Sequence, residues 1–253
     1  MISETFAFGD SPLHRLDPRV RVVAAALFSI IAAVSNGFAA VCPAMVLALV
    51  LTAMARLPLR LVMARLAVVN GLILFIWLFL PWTYKGTPVL ELGPLVFSLE
   101  GIRLCALITI KSNAILCALI ALAATMPIAT LGHALHCLRV PDKLVHLLLM
   151  TYRYIFVIEA EYQQLIRAAR IRCFTPKTNL HTYKTYAYLV GMLFVRASAR
   201  GERVHQAMIC RGFNGKFRCL HEFAFTKSDL AWSAAMAVSL TALGVLEWAP
   251  IIS

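Results

Sequence analysis

Apolar and polar positions along this chain are segregated rather than interleaved. Five stretches, 20–34, 38–54, 67–82, 104–126 and 230–248, are almost wholly apolar, and the charged residues are gathered between them. Each stretch is long enough, with help from its flanks, to cross about 30 Å of hydrocarbon as a helix rising ~1.5 Å per residue. Ser35-Asn36-Gly37 breaks the first two stretches with a turn signal, which predicts a helical hairpin. Arg56, Arg60 and Arg65 recur among Leu, Val and Met, so 56–65 is expected to lie as a short basic amphipathic segment at the membrane surface. Trp77 and Trp82 near the end of the third run suit an aromatic belt. A loop is expected over 83–103, and the fourth run carries a polar notch, Lys111-Ser112-Asn113.

After residue 126 the pattern changes. Two long helical stretches, about 143–172 and 183–211, start apolar (LVHLLLM and YLVGMLFV) and end polar and basic. The predicted fold is therefore all-α: a polytopic helical membrane protein with about five to six transmembrane helices and two long amphipathic helices. Residues 1–126 form a membrane region with four spans, 127–227 a cytoplasmic or interfacial helical module, and 228–253 the last span and C-terminus. The apolar starts of the two long helices leave room for a sixth crossing.

Composition supports this reading. Of 253 residues, 61% are hydrophobic, above what soluble domains carry. The net charge of +12 raises nucleic acid as a partner, but the basic residues follow the loops: 127–227 holds fifteen Lys or Arg against five Asp or Glu. The positive-inside rule explains that distribution without nucleic acid and places the N-terminus and the 127–227 module in the cytoplasm. Seven cysteines with no CxxC pair do not form a disulfide framework. The N-terminal segment shows no cleavable signal pattern.

The sharpest local feature is a repeat. Residues 168–174 read Ala-Ala-Arg-Ile-Arg-Cys-Phe and residues 207–213 read Ala-Met-Ile-Cys-Arg-Gly-Phe. Ala168 aligns with Ala207, Arg172 with Arg211 and Phe174 with Phe213, and each copy closes one long helix. An arginine in a last turn favours the helix dipole by about 0.3–1 kcal/mol, and a glycine after it is an ordinary cap. Those effects explain either copy alone. Shared Ala, Arg and Phe at one spacing point instead to two similar docking ends, whose five-donor guanidinium forks suit acidic or carbonyl-lined grooves on a partner with two similar sites.

The chain here resembles a family: the transmembrane coupling component of energy-coupling factor (ECF) transporters, the EcfT/CbiQ family, and its cobalt-type branch most. The similar residues are Ser11-Pro-Leu-His-Arg-Leu-Asp-Pro-Arg19, then Leu138-Arg139-Val140-Pro141, Met150-Thr-Tyr-Arg-Tyr-Ile155 and Glu159, and the motifs Ile171-Arg172-Cys173 and Cys210-Arg211-Gly212. The family usually has Ala-Arg-Gly at these motifs, so Cys173 is a departure to another small residue. The resemblance implies two coupling helices whose X-Arg-X ends dock on two ABC-type ATPases, a homodimer in a metal-type system. It also implies a membrane substrate-capture subunit, with a small accessory membrane protein as a further candidate, all set in the lipid bilayer. The implied activity is ATP-driven uptake of cobalt, with nickel or a vitamin as alternatives, in the inner membrane of a bacterium. The implied docking residues are Ile171, Arg172, Cys173, Cys210, Arg211 and Gly212.

Catalysis is not expected in this chain. Gly212-Phe-Asn-Gly-Lys-Phe217 has the wrong spacing for a P-loop and lacks its hydroxyl. No cofactor is therefore expected here, and ATP with magnesium belongs to the partner ATPases. His133, His136 and Cys137 fall on neighbouring turns of one predicted helix, but a metal site needs a fuller ligand set, and none is assigned. Glu159 and Glu161 are two apart and point about 200° away from each other on a helix, against paired acid–base work. Glu159 near Tyr152 and Arg153 reads as helix packing. Lys111 and Asn113 are candidate intramembrane contacts for a partner, with snorkelling as the alternative for Lys111. A stand-alone carrier would need a matching polar break in the other half, and a membrane enzyme would need convergent titratable groups. Neither is present in the sequence.

Overall fold

A computed structural model describes residues 11–83, 88–92, 95–213, 215 and 226–252 of the chain. Among the described residues eight α-helices run α1 Pro18–Val34, α2 Phe38–Met54, α3 Leu59–Thr83, α4 Leu99–Leu122, α5 Ile128–Cys137, α6 Asp142–Ile171, α7 Leu180–Cys210 and α8 Lys227–Ile252. A short antiparallel pair, β1 Pro88–Leu92 and β2 Leu95–Ser98, lies between α3 and α4, with Glu91 opposite Val96. Among the described residues the architecture is all-helical apart from this hairpin, which occupies part of the expected 83–103 loop.

The chain divides into two compact units, Leu135–Glu222 and the remainder. In the larger unit α4 is central: it packs on α1, α2 and α3, and α8 lies against α1 and α2. The buried faces follow the helical period, as in Arg21, Ala24, Ala25, Phe28 and Ala32 of α1. Contacts are built from small residues. Ala44 and Ala48 of α2 share one core cluster with Ala114 and Ala118 of α4, each pair four residues apart. Within lipid no hydrophobic force drives helices together, so close backbone approach and van der Waals packing must, and alanine at i and i+4 permits both.

Among the described residues three helices are long and apolar enough to cross a membrane: α3, α4 and Lys227–Trp248 of α8. The pair α1–α2, joined by the predicted Ser35–Gly37 turn, has 17 residues in each helix, or about 26 Å at 1.5 Å per residue. Neither α6 nor α7 is among the crossing helices. The basic segment expected at the surface is divided: Arg56 sits in the turn after α2 with φ 49°, and Arg60 and Arg65 belong to the first turns of α3.

Local chemistry fixes the helix ends. Asp17 caps α1 by accepting from the Arg19 amide at 2.8 Å, and Pro18 fills the first helical position, where no amide donor is needed. Asp229, buried at the start of α8, accepts from the Asp17 amide at 3.0 Å and from the Thr226 amide at 2.9 Å, so one carboxylate ties α1 to α8. Arg21 is buried as well, and its guanidinium donates to the Thr125 hydroxyl just beyond α4.

Candidate functional site

The smaller unit is dominated by α6 and α7. Contacts between them run in opposite order along the two helices: Phe174 meets Tyr186, Glu161 meets Arg196 and Arg200, and His146 meets Phe213. The helices are therefore antiparallel. Arg172 lies at one end of the pair and Arg211 at the other. From His146 to Arg172 helical rise gives about 40 Å.

Both ends close in the same way. Beyond α6 the Phe174 amide donates to the Ala169 carbonyl at 3.1 Å and the Cys173 amide to Arg170 at 3.0 Å. Beyond α7 the Phe213 amide donates to Met208 at 3.0 Å and the Gly212 amide to Ile209 at 2.9 Å. This nested pair of bonds is the Schellman motif, which needs a left-handed residue just past the cap. Cys173 and Gly212 supply it, with φ 61° and 77°. The arginines are the cap residues themselves, at φ −84° and −89°. The repeat in the sequence is thus a repeat in three dimensions.

The geometry sorts each tip into a tethered and a free half. The phenylalanine folds back onto the opposite helix: Phe174 stacks edge-on against Tyr186 at 5.8 Å and lies 6.4 Å from His181, and Phe213 lies 5.6 Å from His146. Ile171, Arg172 and Cys173 are exposed, as are Cys210, Arg211 and Gly212. Ile171 is 84% exposed, unusual for so apolar a side chain. Arg56 aside, Arg139 is the other non-glycine residue with positive φ among the described residues, at 64°. It ends α5 through the same two bonds, Val140 to Leu135 and Arg139 to His136, both at 3.1 Å.

Lys111 and Asn113 have partners within the chain. The Lys111 ammonium donates to the Ala33 carbonyl at 3.1 Å and to Asn36 Oδ1 at 3.3 Å. It thus sits at the C-terminal end of α1, where the helix dipole favours a cation. Asn113 donates to Asn70 Oδ1 of α3 at 2.9 Å and to the Thr109 carbonyl at 2.8 Å. His136 Nε2 lies 3.1 Å from Asp142 Oδ1 across the α5–α6 turn. Among the described residues no three His, Cys, Asp or Glu side chains converge as metal ligands. Cys219 and His221 lie outside the described residues.

One charged cluster escaped the sequence reading. Glu161 Oε2 accepts from Arg200 at 2.6 Å and Oε1 from Arg196 at 3.4 Å, where α6 meets α7. The Glu161 side chain is only 15% exposed. The Arg200 hydrogen bond, with Arg196 behind it, holds its carboxyl below the usual carboxylate range. Arg196 and Arg200 are four apart on one helix face, and that spacing was the legible signal for a shared acidic partner.

These elements define a polytopic helical membrane protein that carries an antiparallel pair of long amphipathic helices with matched arginine ends. The chain belongs to the CbiQ family, described as cobalt transport protein, whose profile matches residues 9–220. It is 34% identical over 122 residues to an uncharacterized protein of Methanocaldococcus jannaschii, covering 48% of this chain and 45% of that one. It is 28% identical to the cobalt transport protein CbiQ of Rhodobacter capsulatus, covering 52% and 54%. A third relative matches end to end: the energy-coupling factor transporter transmembrane protein EcfT of Listeria innocua, 29% identical over 98% of this chain and 97% of its own length. Against the first two, the match spans about half of the relative or less.

Proposed function

We propose that this chain is the transmembrane coupling subunit of an ATP-driven importer of the energy-coupling factor type. The observation that carries the reading is the pair of equivalent helix ends. Each presents an exposed arginine at a Schellman cap, about 40 Å apart by helical rise along one antiparallel unit. Two like ends fit two like grooves, as a pair of ABC-type ATPase subunits would offer. Arg172 and Arg211 dock, with Ile171, Cys173, Cys210 and Gly212 filling the rim. ATP and magnesium are held by those ATPases, and this chain contributes no catalytic residue. Such a helix pair can pass motion from the ATPases to a substrate-capture subunit in the bilayer.

Membership of the CbiQ family and the name of the R. capsulatus relative favour cobalt as the cargo. The name of the L. innocua relative supports the energy-coupling role. The protein then resides in the plasma membrane, with its N-terminus and the α6–α7 pair in the cytoplasm, where the basic loops belong.

The test uses native chemistry at the tips. Cys173 and Cys210 are exposed beside the two arginines. In membranes holding the whole transporter, both should be shielded from a maleimide and become reactive when the ATPases are stripped away. Arg172→Glu and Arg211→Glu should release the ATPases and abolish labelled-cobalt uptake. Retention of the ATPases by the double variant would sink the docking assignment.

A further inference from the structure

Helices α6 and α7, of 30 and 31 residues, are joined by the bonds of Glu161 with Arg196 and Arg200. They sit near the middle of the pair, and the aromatic contacts of Phe174 and Phe213 lie at its two ends. Each Glu161 oxygen takes one guanidinium, so the carboxylate bridges two successive turns of α7. That fixes position along the helix as well as separation, which one monodentate pair would not. Arg196 and Arg200 would repel each other on their shared face without it.

Beside this bridge lies a cleft of about 180 Å³, lined by Tyr154 and Ile158 of α6 and by Leu193, Ala197 and Gly201 of α7, with Glu161 and Arg200 at its edge. A Cβ added at Gly201 would meet nothing within 4 Å. The charged bridge and the cleft thus adjoin at the crossing. Close-packed helices resist a change of angle because side chains would collide. Here there is space for one.

We infer that Glu161 is the pin of a pivot: with Arg196 and Arg200 it holds the register of α6 on α7, while the adjacent cleft lets their crossing angle change. Glu161 is a positioning residue, acting through the two arginines on the placement of the distant tips. The structural claim stands by itself, and its consequence for uptake rests on the transport reading above.

The experiment measures tip placement directly. A full-length variant keeps Cys173 and Cys210 as its sole cysteines, carries a nitroxide on each, and is studied by electron–electron resonance in lipid nanodiscs. In an antiparallel pair ±15° of angular scatter leaves the tip separation nearly constant, whereas a slip of one helical turn in register changes it by about 5 Å. Glu161→Gln should broaden or shift the distance distribution by that amount. Glu161→Asp should stay near the parent, and Arg196→Gln with Arg200→Gln should broaden the distribution as Glu161→Gln does. An unchanged distribution in Glu161→Gln overturns the pin. A parent-like distribution in the double arginine variant also overturns it, because the two guanidiniums would then not be what holds the register. In the whole transporter Glu161→Gln should keep its ATPases and lose cobalt uptake. If Arg172→Glu and Arg211→Glu left uptake intact, the docking reading would fail while the distance result stood.

Discussion

Cys173 and Gly212 occupy the same place, one residue beyond α6 and α7, and both adopt left-handed backbone, at φ 61° and 77°. Glycine does so freely, whereas a side chain bearing Cβ meets the following carbonyl, at about 1–2 kcal/mol. The strain at Cys173 is tolerated because two backbone bonds over-determine the turn. Cys173→Gly is therefore expected to stabilise the protein by about 1 kcal/mol, seen as a raised unfolding midpoint in detergent. Gly212→Val should cost about 1–2 kcal/mol, since a β-branched residue suits that conformation least.

A second prediction concerns the Ser35–Gly37 turn, where two helix ends are each met by an opposite charge. Lys111 donates to Ala33 at the end of α1, and Glu247 of α8 accepts from the amides of Asn36 and Gly37 at 2.6 and 3.2 Å at the start of α2. Both placements match the helix dipole. Lys111→Met keeps the apolar stem and removes the charge. It should destabilise the protein by about 0.5–1 kcal/mol, measured by thermal unfolding. An equal loss in the Lys111→Met and Glu247→Gln variants, without additivity in the double variant, would show that they act as one unit.

Gly101 is required by close approach. A Cβ there would stand 2.9 Å from Pro81 Cα of α3 and 2.8 Å from the Ser98 hydroxyl that caps α4. The hydroxyl can rotate away, but the backbone of α3 cannot yield without moving the helix. Gly101→Ala is expected to cost about 1–3 kcal/mol, typical of overpacking, despite alanine's better helix propensity. Gly71→Ala, in open space on α3, is the control and should be neutral or slightly stabilising.

Elements whose signals are local were legible in the sequence. The runs predicted at 38–54, 143–172 and 183–211 match α2, α6 and α7 within a few residues, because apolar periodicity, Pro141 and the capping residues act over one or two turns. The two arginine tips were legible for the same reason. The paired strands at 88–98 escaped because the Gly and Pro residues there read equally as loop. Arg21 with Thr125 and Asp17 with Asp229 were out of reach, since the partners lie 104 and 212 residues apart and only folding brings them together. Glu161 was seen as a residue but not as a site. Nothing in α6 announces which face α7 will cover.

The pivot carries its own pH dependence. Glu161 faces Arg196 and Arg200 from α7, and Tyr154 of its own helix lines the same cleft. The Arg200 hydrogen bond is the largest influence and lowers its pKa in the folded state from the ordinary value of 4.5; burial, the next largest, opposes it, and the Arg200 charge with the Arg196 hydrogen bond and charge add to the lowering. A depressed carboxylate pKa contributes stability that is complete above the unfolded value and is lost as pH falls through the folded one. The α6–α7 register is therefore expected to be constant from neutrality down to the ordinary carboxylate range and to loosen below it. The tip-to-tip distance distribution, recorded along an acid titration, should stay unchanged above that range and broaden beneath it. Glu161→Gln has no carboxyl to titrate, so its broad distribution should be insensitive to pH over the same interval. A parent distribution that broadens between neutrality and the ordinary carboxylate range would assign the titration to a group other than Glu161.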